Sequence, residues 1–378
     1  MKICILTQPL KFNYGGILQA YALQKVLKDM GHNVLTLNYD STFKLTKKTI
    51  IKRIIAKLLW GKRISLLGRI AFPELNKHLR RFISENIDYS ELLYAPLKYE
   101  HIDKFKFDAF IVGSDQVWRK AYSPHLPTFF LDFLEKNQNV KKIAYSASFG
   151  TSEFEVPSSE LNQYIRWTQE FNNISVREKD AIKIIRDDLK SNAELVLDPT
   201  MLLTPSDYLE LIDSDKSRNL IDKDIPKNQC MGYVLDINKN KKSLFDNISK
   251  KLGLTGNILS IQQFPPKDFN LDSCIQPPIT QWLQMIKNSS FVVTDSFHGT
   301  VFSIIFNTPF AVVSNNERGA SRFNTLLETF NLKDRMISPD DANATEKILN
   351  SKIDWNNVNT ILKQCRETSK CFLKSALK

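Results

Sequence analysis

His298 is the side chain whose placement says most about chemistry. Phe291, Val292 and Val293 form the short, apolar, β-branched run that a buried parallel strand needs. Asp295, Ser296 and Phe297 turn the chain, and His298-Gly299-Thr300 opens an apolar segment that Asn307, Thr308 and Pro309 stop. An imidazole at the start of a helix lies among free N–H groups at the positive end of the dipole, which makes an anion site. It can also give or take a proton near neutral pH. A helix capped by Asp295 or Ser296, with His298 merely packed, fits the same local pattern. Cations stand at comparable places. Arg177 follows the apolar run 173–176, and Arg318 and Arg322 lie in SNNERGASRF, between a strand and a helix. Arg177 could instead pair with its neighbours Glu178 or Asp180. Asp115 and Gln116 follow FDAFIVG, just past the carboxyl end of a strand, where ligands bind in open α/β sheets. Asp115 could equally cap the segment after it.

The elements that must hold these residues alternate along the chain. Residues 2–7 read as a buried strand, Asn13-Tyr14-Gly15-Gly16 as a loop, 17–30 as a helix by its apolar spacing, and 33–38 as the next strand. That βαβ opening has a glycine pair but no GxGxxG, so a dinucleotide fingerprint is not supported. Further strands are expected at 107–113, 141–146, 173–176 and 194–197, with helices at 158–171 and from 177 through 189. Asp198-Pro199 after the last of these strands reads as a hinge or cap. Residues 204–228 are polar and rich in Asp, Lys and Pro, and are expected to be a linker. A second βα series then runs from 229 to 354, and 355–378 forms a last helix that could pack back on the first domain. The expected fold class is α/β, with two Rossmann-like domains, 1–203 and 229–354, facing a cleft.

Composition narrows the classes. The 378 residues are 42% apolar and 25% charged, as in ordinary soluble proteins. Five scattered cysteines without a CxxC pair give neither a disulfide framework nor a zinc site. The opening MKICILTQPL lacks the apolar core of a signal peptide, so a cytoplasmic location is expected. Net charge is +11, from 52 basic and 41 acidic residues. Segment 44–82 holds twelve of the bases and a single acid, Glu74, so the remainder balances at 40 of each. Within it, Ile50, Ile51, Ile54, Ile55, Leu58, Leu59 and Trp60 interleave with Lys52, Arg53 and Lys57 at helical spacing. That pattern fits an interfacial helix on anionic lipid, or a helical hairpin with a solvated basic face. No nucleic-acid-binding motif accompanies the charge, so nucleic acid is not an expected partner.

FNYGGILQAYALQ, FIVGSDQVW, IAYSASFG, SVREKDA, LVLDPTML and TDSFHGTVFSIIFNTPF occur in this order. Together they resemble the polysaccharide pyruvyl transferase family over roughly residues 1 to 330. The resemblance implies a fold like that of GT-B glycosyltransferases. It also implies transfer of the enolpyruvyl unit of phosphoenolpyruvate onto two hydroxyls of a sugar, giving a cyclic ketal and phosphate. The basic insertion lies outside the shared motifs.

Phosphoenolpyruvate carries a phosphate and a carboxylate, so it needs cationic and helix-end clamps. Ketal formation also needs a general acid, a base near the hydroxyls and stabilisation of the departing phosphate. The resemblance gives His298 the donor phosphate and a possible proton, and Arg177 a donor contact. Arg318 or Arg322, with Ser296, Gly299 and Thr300, would complete the donor site. Asn13, Tyr14, Gly15, Gly16, Asp115 and Gln116 are expected on the acceptor side, with Asp115 as candidate base. No redox cofactor or metal is expected. The acceptor is expected to be a lipid-pyrophosphate-linked glycan at the inner face of the cytoplasmic membrane. A nucleotide-sugar glycosyltransferase would have the same architecture, and a non-catalytic sugar-binding or assembly protein is the alternative from another class.

Overall fold

The computed structural model describes residues 1–43, 73–134, 139–223, 225–259, 271–314, 319–341 and 343–378. Arg318, the helical pattern between Ile50 and Trp60 and most of the basic segment lie outside them.

Strands β1 (Lys2–Leu6), β2 (Asn33–Thr36), β3 (Tyr39–Phe43), β4 (Leu93–Ala95), β5 (Ala109–Val112), β6 (Lys141–Ala147), β7 (Asn173–Val176) and β8 (Glu194–Leu195) belong to the first half. The main sheet there is parallel, in the order β2-β1-β5-β6-β7-β8, while β3 and β4 pair apart. Strand β5 is buried end to end and β6 at all but its first residue, as a sheet covered on both faces requires. The second half holds β9 (Gln229–Tyr233), β10 (Thr255–Ile258), β11 (Phe291–Thr294), β12 (Phe310–Val313) and β13 (Met336–Ile337). These strands are parallel in the order β10-β9-β11-β12-β13. The chain reverses direction across each sheet once, between β1 and β5 and between β9 and β11. Such switch points open a crevice beyond the carboxyl ends of the strands. The fold is GT-B-like, with the two crevices facing each other.

The halves share one apolar core, in which Ile3, Tyr145 and Leu197 of the first join Trp282, Phe302 and Leu327 of the second. Part of the expected linker 204–228 belongs to that core, which corrects the sequence reading. Helix Pro205–Ser217 starts at a capping box in which Thr204 N donates to Asp207 Oδ2 at 2.8 Å. It buries Tyr208 edge-on against Phe302, with ring centroids 4.9 Å apart. The last helix, Trp355–Ala376, lies under the first sheet. There Ser369 Oγ accepts from Leu197 N at 3.0 Å, and Arg366 donates to the Met201 and Leu203 carbonyls.

Candidate active site

Four strand ends build the site. After β5, Gly113 adopts φ 132°, and a Cβ there would lie 2.0 Å from the Tyr145 carbonyl oxygen, so the turn admits no side chain. The turn delivers Asp115 in the left-handed region at φ 71°. Its Oδ1 accepts from Gln116 N at 2.9 Å, and Asn13 Nδ2 donates to its Oδ2 at 3.4 Å. After β7 comes Arg177, and after β8 comes Asp198. The Asp198 Oδ1 accepts from Thr200 N and Oγ1 at 3.0 and 2.6 Å, capping the short helical turn Pro199–Leu202. Its Oδ2 accepts from Arg177 Nη1 at 2.8 Å and Ser114 Oγ at 3.1 Å.

After β11, Asp295 is fully buried and accepts from Leu235 N, Asp236 N and Lys241 Nζ at 2.7, 3.3 and 2.7 Å. It therefore fixes the loop after β9 beside the turn, and it also lines the cleft next to Ser296. Ser296 Oγ accepts from Gly299 N at 3.3 Å and caps helix Phe297–Ile305. His298 stands in the first turn of that helix, with Nε2 3.6 Å from Asp198 Oδ2 of the other half. Its ring lies against Gly15, where a Cβ would come within 2.0 Å of Nδ1. Arg322, in helix Ala320–Thr329, sits with its guanidinium carbon 5.4 Å from the Phe297 ring centroid, and Arg177 approaches the same ring at 4.4 Å.

Between these groups opens a cleft of ≈ 400 Å³. One wall carries Gln8, Lys11, Phe12, Asn13, Asp115, Gln116 and Tyr122, and the other Leu235, Ser296, Phe297, His298, Arg322 and Phe323. Lys11 is paired with Asp40 at 2.6 Å. Burial and the neighbouring charge of Arg177 bring the Arg322 pKa down to about 10, which leaves it cationic at neutral pH. Burial alone would push the Asp198 carboxyl up. His298, Arg177 and the Thr200 hydroxyl outweigh burial and hold it well below the usual carboxylate range. Burial likewise disfavours the charged form of Arg177, but Asp198, Asp115 and Glu178 raise its pKa above the ordinary value. Glu178 is pushed up by burial, and its Oε1 accepts from Ser148 Oγ, Phe149 N and Gly150 N.

The structure thus brings Asn13, Asp115, Gln116, Ser296, His298 and Arg322 together around one cleft. It places other expected site residues elsewhere. Tyr14, Gly15 and Gly16 form the first turn of helix Tyr14–Asp29 rather than a loop. Tyr14 is fully buried, donating to the Pro277 carbonyl at 2.7 Å and stacking on Trp282 at 5.3 Å. Gly15 backs the His298 ring, and Gly16 packs on Asn13. Gly299 and Thr300 lie beneath the helix start, the first against Thr294 and the second donating its hydroxyl to the Ser296 carbonyl at 3.1 Å. Arg177 is 4% exposed and sits below the cleft floor, ion-paired to Asp198 and, at 3.6 Å, to Asp115. Its Nε and Nη2 have no hydrogen-bond partner among the described residues. Asp198, taken from the sequence as a hinge or cap, is both a cap and the carboxylate that joins Arg177 to His298. Among the described residues no cluster of His, Cys, Asp or Glu could hold a metal ion.

A family model described as polysaccharide pyruvyl transferase matches residues 13–317, well over half of the chain. Comparison with curated proteins finds no match. Among solved structures, the chain is similar to the UDP-N-acetylglucosamine 2-epimerase of Rickettsia bellii, at TM-score 0.52 and 11% identity, covering 100% of this chain and 96% of that one. It is also similar to UDP-GlcNAc 2-epimerase from Methanocaldococcus jannaschii, at TM-score 0.53 and 14% identity over 98% and 99% of the two chains. At such identities the likeness concerns the fold.

Proposed function

The chain belongs to the polysaccharide pyruvyl transferase family, and on that premise we propose that it moves the enolpyruvyl unit of phosphoenolpyruvate onto two hydroxyls of a sugar in a cell-surface or capsular polysaccharide precursor. One observation carries this reading: His298 and Arg322, on elements of the second sheet, face Asn13, Asp115 and Gln116 across a single cleft. A polyanionic donor and a hydroxyl-rich sugar ring call for two such unlike walls.

In the proposed reaction Arg322 and the first-turn N–H groups of helix Phe297–Ile305 hold the donor's anionic groups. Arg177, buried beneath the cleft and paired with Asp198 and Asp115, adds positive charge near the same anion. A proton from water goes to the methylene carbon, making it a methyl group, and a sugar hydroxyl bonds to the central carbon, its proton passing to Asp115 and from there to water. The second hydroxyl then attacks the same carbon and gives its proton to Asp115, while the carbon–oxygen bond to phosphate breaks and the phosphate leaves with one proton. In this scheme His298, which lines the cleft with its Nε2 3.6 Å from Asp198 Oδ2, gives that leaving oxygen its proton.

Incubation with phosphoenolpyruvate and a panel of lipid-linked oligosaccharides should give a mass gain on one acceptor, with stoichiometric phosphate release. Calorimetry at low salt should show phosphoenolpyruvate binding that weakens about tenfold or more in His298→Ala and in Arg322→Ala, since charge-assisted hydrogen bonds of ~1.5–3 kcal/mol are lost. Binding of a nucleotide sugar with none of phosphoenolpyruvate would overturn the proposal in favour of glycosyl transfer.

A further inference from the structure

The acceptor wall of the cleft carries two aromatic side chains that the chemistry above does not use. Phe12 is 44% exposed and Tyr122 41%, yet both line the cleft rather than the outer surface. Neither is a loosely hung surface residue. Gln276 Nε2 donates to the Phe12 carbonyl at 2.7 Å, which ties the end of the β1 loop to the second half of the molecule. Tyr122 N donates to the Arg119 carbonyl at 3.0 Å, and the Arg119 guanidinium carbon lies 4.7 Å from the Tyr122 ring centroid. Arg119 Nη1 in turn donates to Gln116 Oε1 at 3.0 Å, so the aromatic ring and the neighbouring amide are positioned as a unit.

We propose that Phe12 and Tyr122 form the platform on which the acceptor's sugar ring stacks, and that the site selects a pyranose with an unbroken patch of C–H bonds on one face. The inference rests on the pyruvyl-transfer reading for the identity of the acceptor. The negative face of an aromatic ring attracts electropositive C–H and repels carboxylate and phosphate, so these rings suit the sugar and not the donor. They also stand on the wall that carries Asp115, the group that must meet the acceptor hydroxyls. Asn13 and Gln116 between them supply amide groups for hydroxyls around the ring edge. An apolar surface with a few convergent polar groups is the general pattern of a small-molecule site. A polyprenyl chain would instead want an apolar lining uninterrupted by Asn13, Asp115 and Gln116.

Two experiments separate this platform from the reading it rests on. In steady-state assays, Phe12→Ala and Tyr122→Ala should each raise the acceptor KM about three- to tenfold, the equivalent of ~0.5–1.5 kcal/mol per stacked ring. Affinity for phosphoenolpyruvate should be unchanged, and Phe12→Tyr and Tyr122→Phe should restore the acceptor KM. An unchanged KM in both alanine variants, or full rescue by Phe12→Leu, overturns the platform. In saturation-transfer NMR on the whole protein, methyl α- and β-pyranosides should receive saturation on the C–H protons of one ring face, and lose it in Phe12→Ala. Equal saturation in parent and variant also overturns it. A parent that stacks the glycosides but binds no phosphoenolpyruvate refutes pyruvyl transfer and upholds the platform.

Discussion

Asp198 is the residue on which the site's charges converge. It is completely buried, accepts from Arg177, Ser114 and Thr200, and stands 3.6 Å from the His298 ring that crosses from the other half. Replacing it by Asn removes the anion and leaves the Arg177 guanidinium buried with its chief partner gone. Breaking a buried pair in this way costs about 3–5 kcal/mol. The pH dependence follows from the depressed Asp198 pKa. A carboxyl titrating lower in the folded protein than in the unfolded chain contributes stability that is full above the unfolded value, ~3.9. It is lost as pH falls toward the folded value. Denaturant titrations at several pH values should therefore show the parent leading Asp198→Asn by a constant margin at neutral pH, and by a shrinking one below about pH 4. A lead that widens on acidification would contradict the assignment. The sequence hid this role. Asp198-Pro199-Thr200 satisfies a local cap, which the structure does contain, and nothing local marks contact with a histidine in the other sheet.

At the scale of elements, two helix starts meet at the site. Helix Phe297–Ile305 brings His298, and helix Tyr14–Asp29 brings Gly15, against which the imidazole rests. A methyl group at Gly15 has no room unless the ring moves, although Ala is the better helix former by ~1 kcal/mol. Gly15→Ala should therefore keep its helix content and melt within a few degrees of the parent, yet lose turnover by roughly 10²-fold, the effect of a catalytic group displaced by about 1 Å. Turnover within a factor of two of the parent would mean that the His298 position is not what limits the reaction. The elements themselves were largely legible: the main strands of the first sheet, strand β11, and the helices at Ser158–Gln169 and Lys179–Asp187 fall within a few residues of where apolar periodicity put them, while the two-residue strand β13 gave no pattern to read. Helices Pro205–Ser217 and Ile279–Asn288 did not show. The first hides a narrow buried stripe of Tyr208 and Ile212 in a polar, Pro-led segment. The second follows Pro277-Pro278 and buries Ile279, Thr280, Trp282, Leu283, Gln284 and Ile286, so packing on several sides erases the polar–apolar alternation that reveals a surface helix.

For the whole molecule, the distribution of charge matters more than its total. Segment 44–82 holds twelve Lys and Arg against one acid, and the remaining 40 bases and 40 acids cancel. The cleft lies in the balanced part, and among the described residues no helix is long and apolar enough to cross a membrane. We propose that the basic segment holds the enzyme reversibly on an anionic membrane, where a lipid-linked acceptor would be presented. Each Lys or Arg near such a surface contributes on the order of 1 kcal/mol, so a subset of the twelve suffices. The attraction must also be screened, since the Debye length shrinks from ~10 Å at 0.1 M salt to ~3 Å at 1 M. In liposome flotation the protein should rise with vesicles containing anionic lipid, stay behind with neutral ones, and be released by high salt. A variant in which Lys47, Lys48, Lys52, Arg53 and Lys57 are replaced by Glu should no longer float, while still turning over a water-soluble acceptor, because the residues that form the cleft are untouched. Indifference of the parent to anionic vesicles would reduce the segment to a solvated basic face. Loss of activity on the soluble acceptor in the charge-reversed variant would instead assign these residues a part in the reaction.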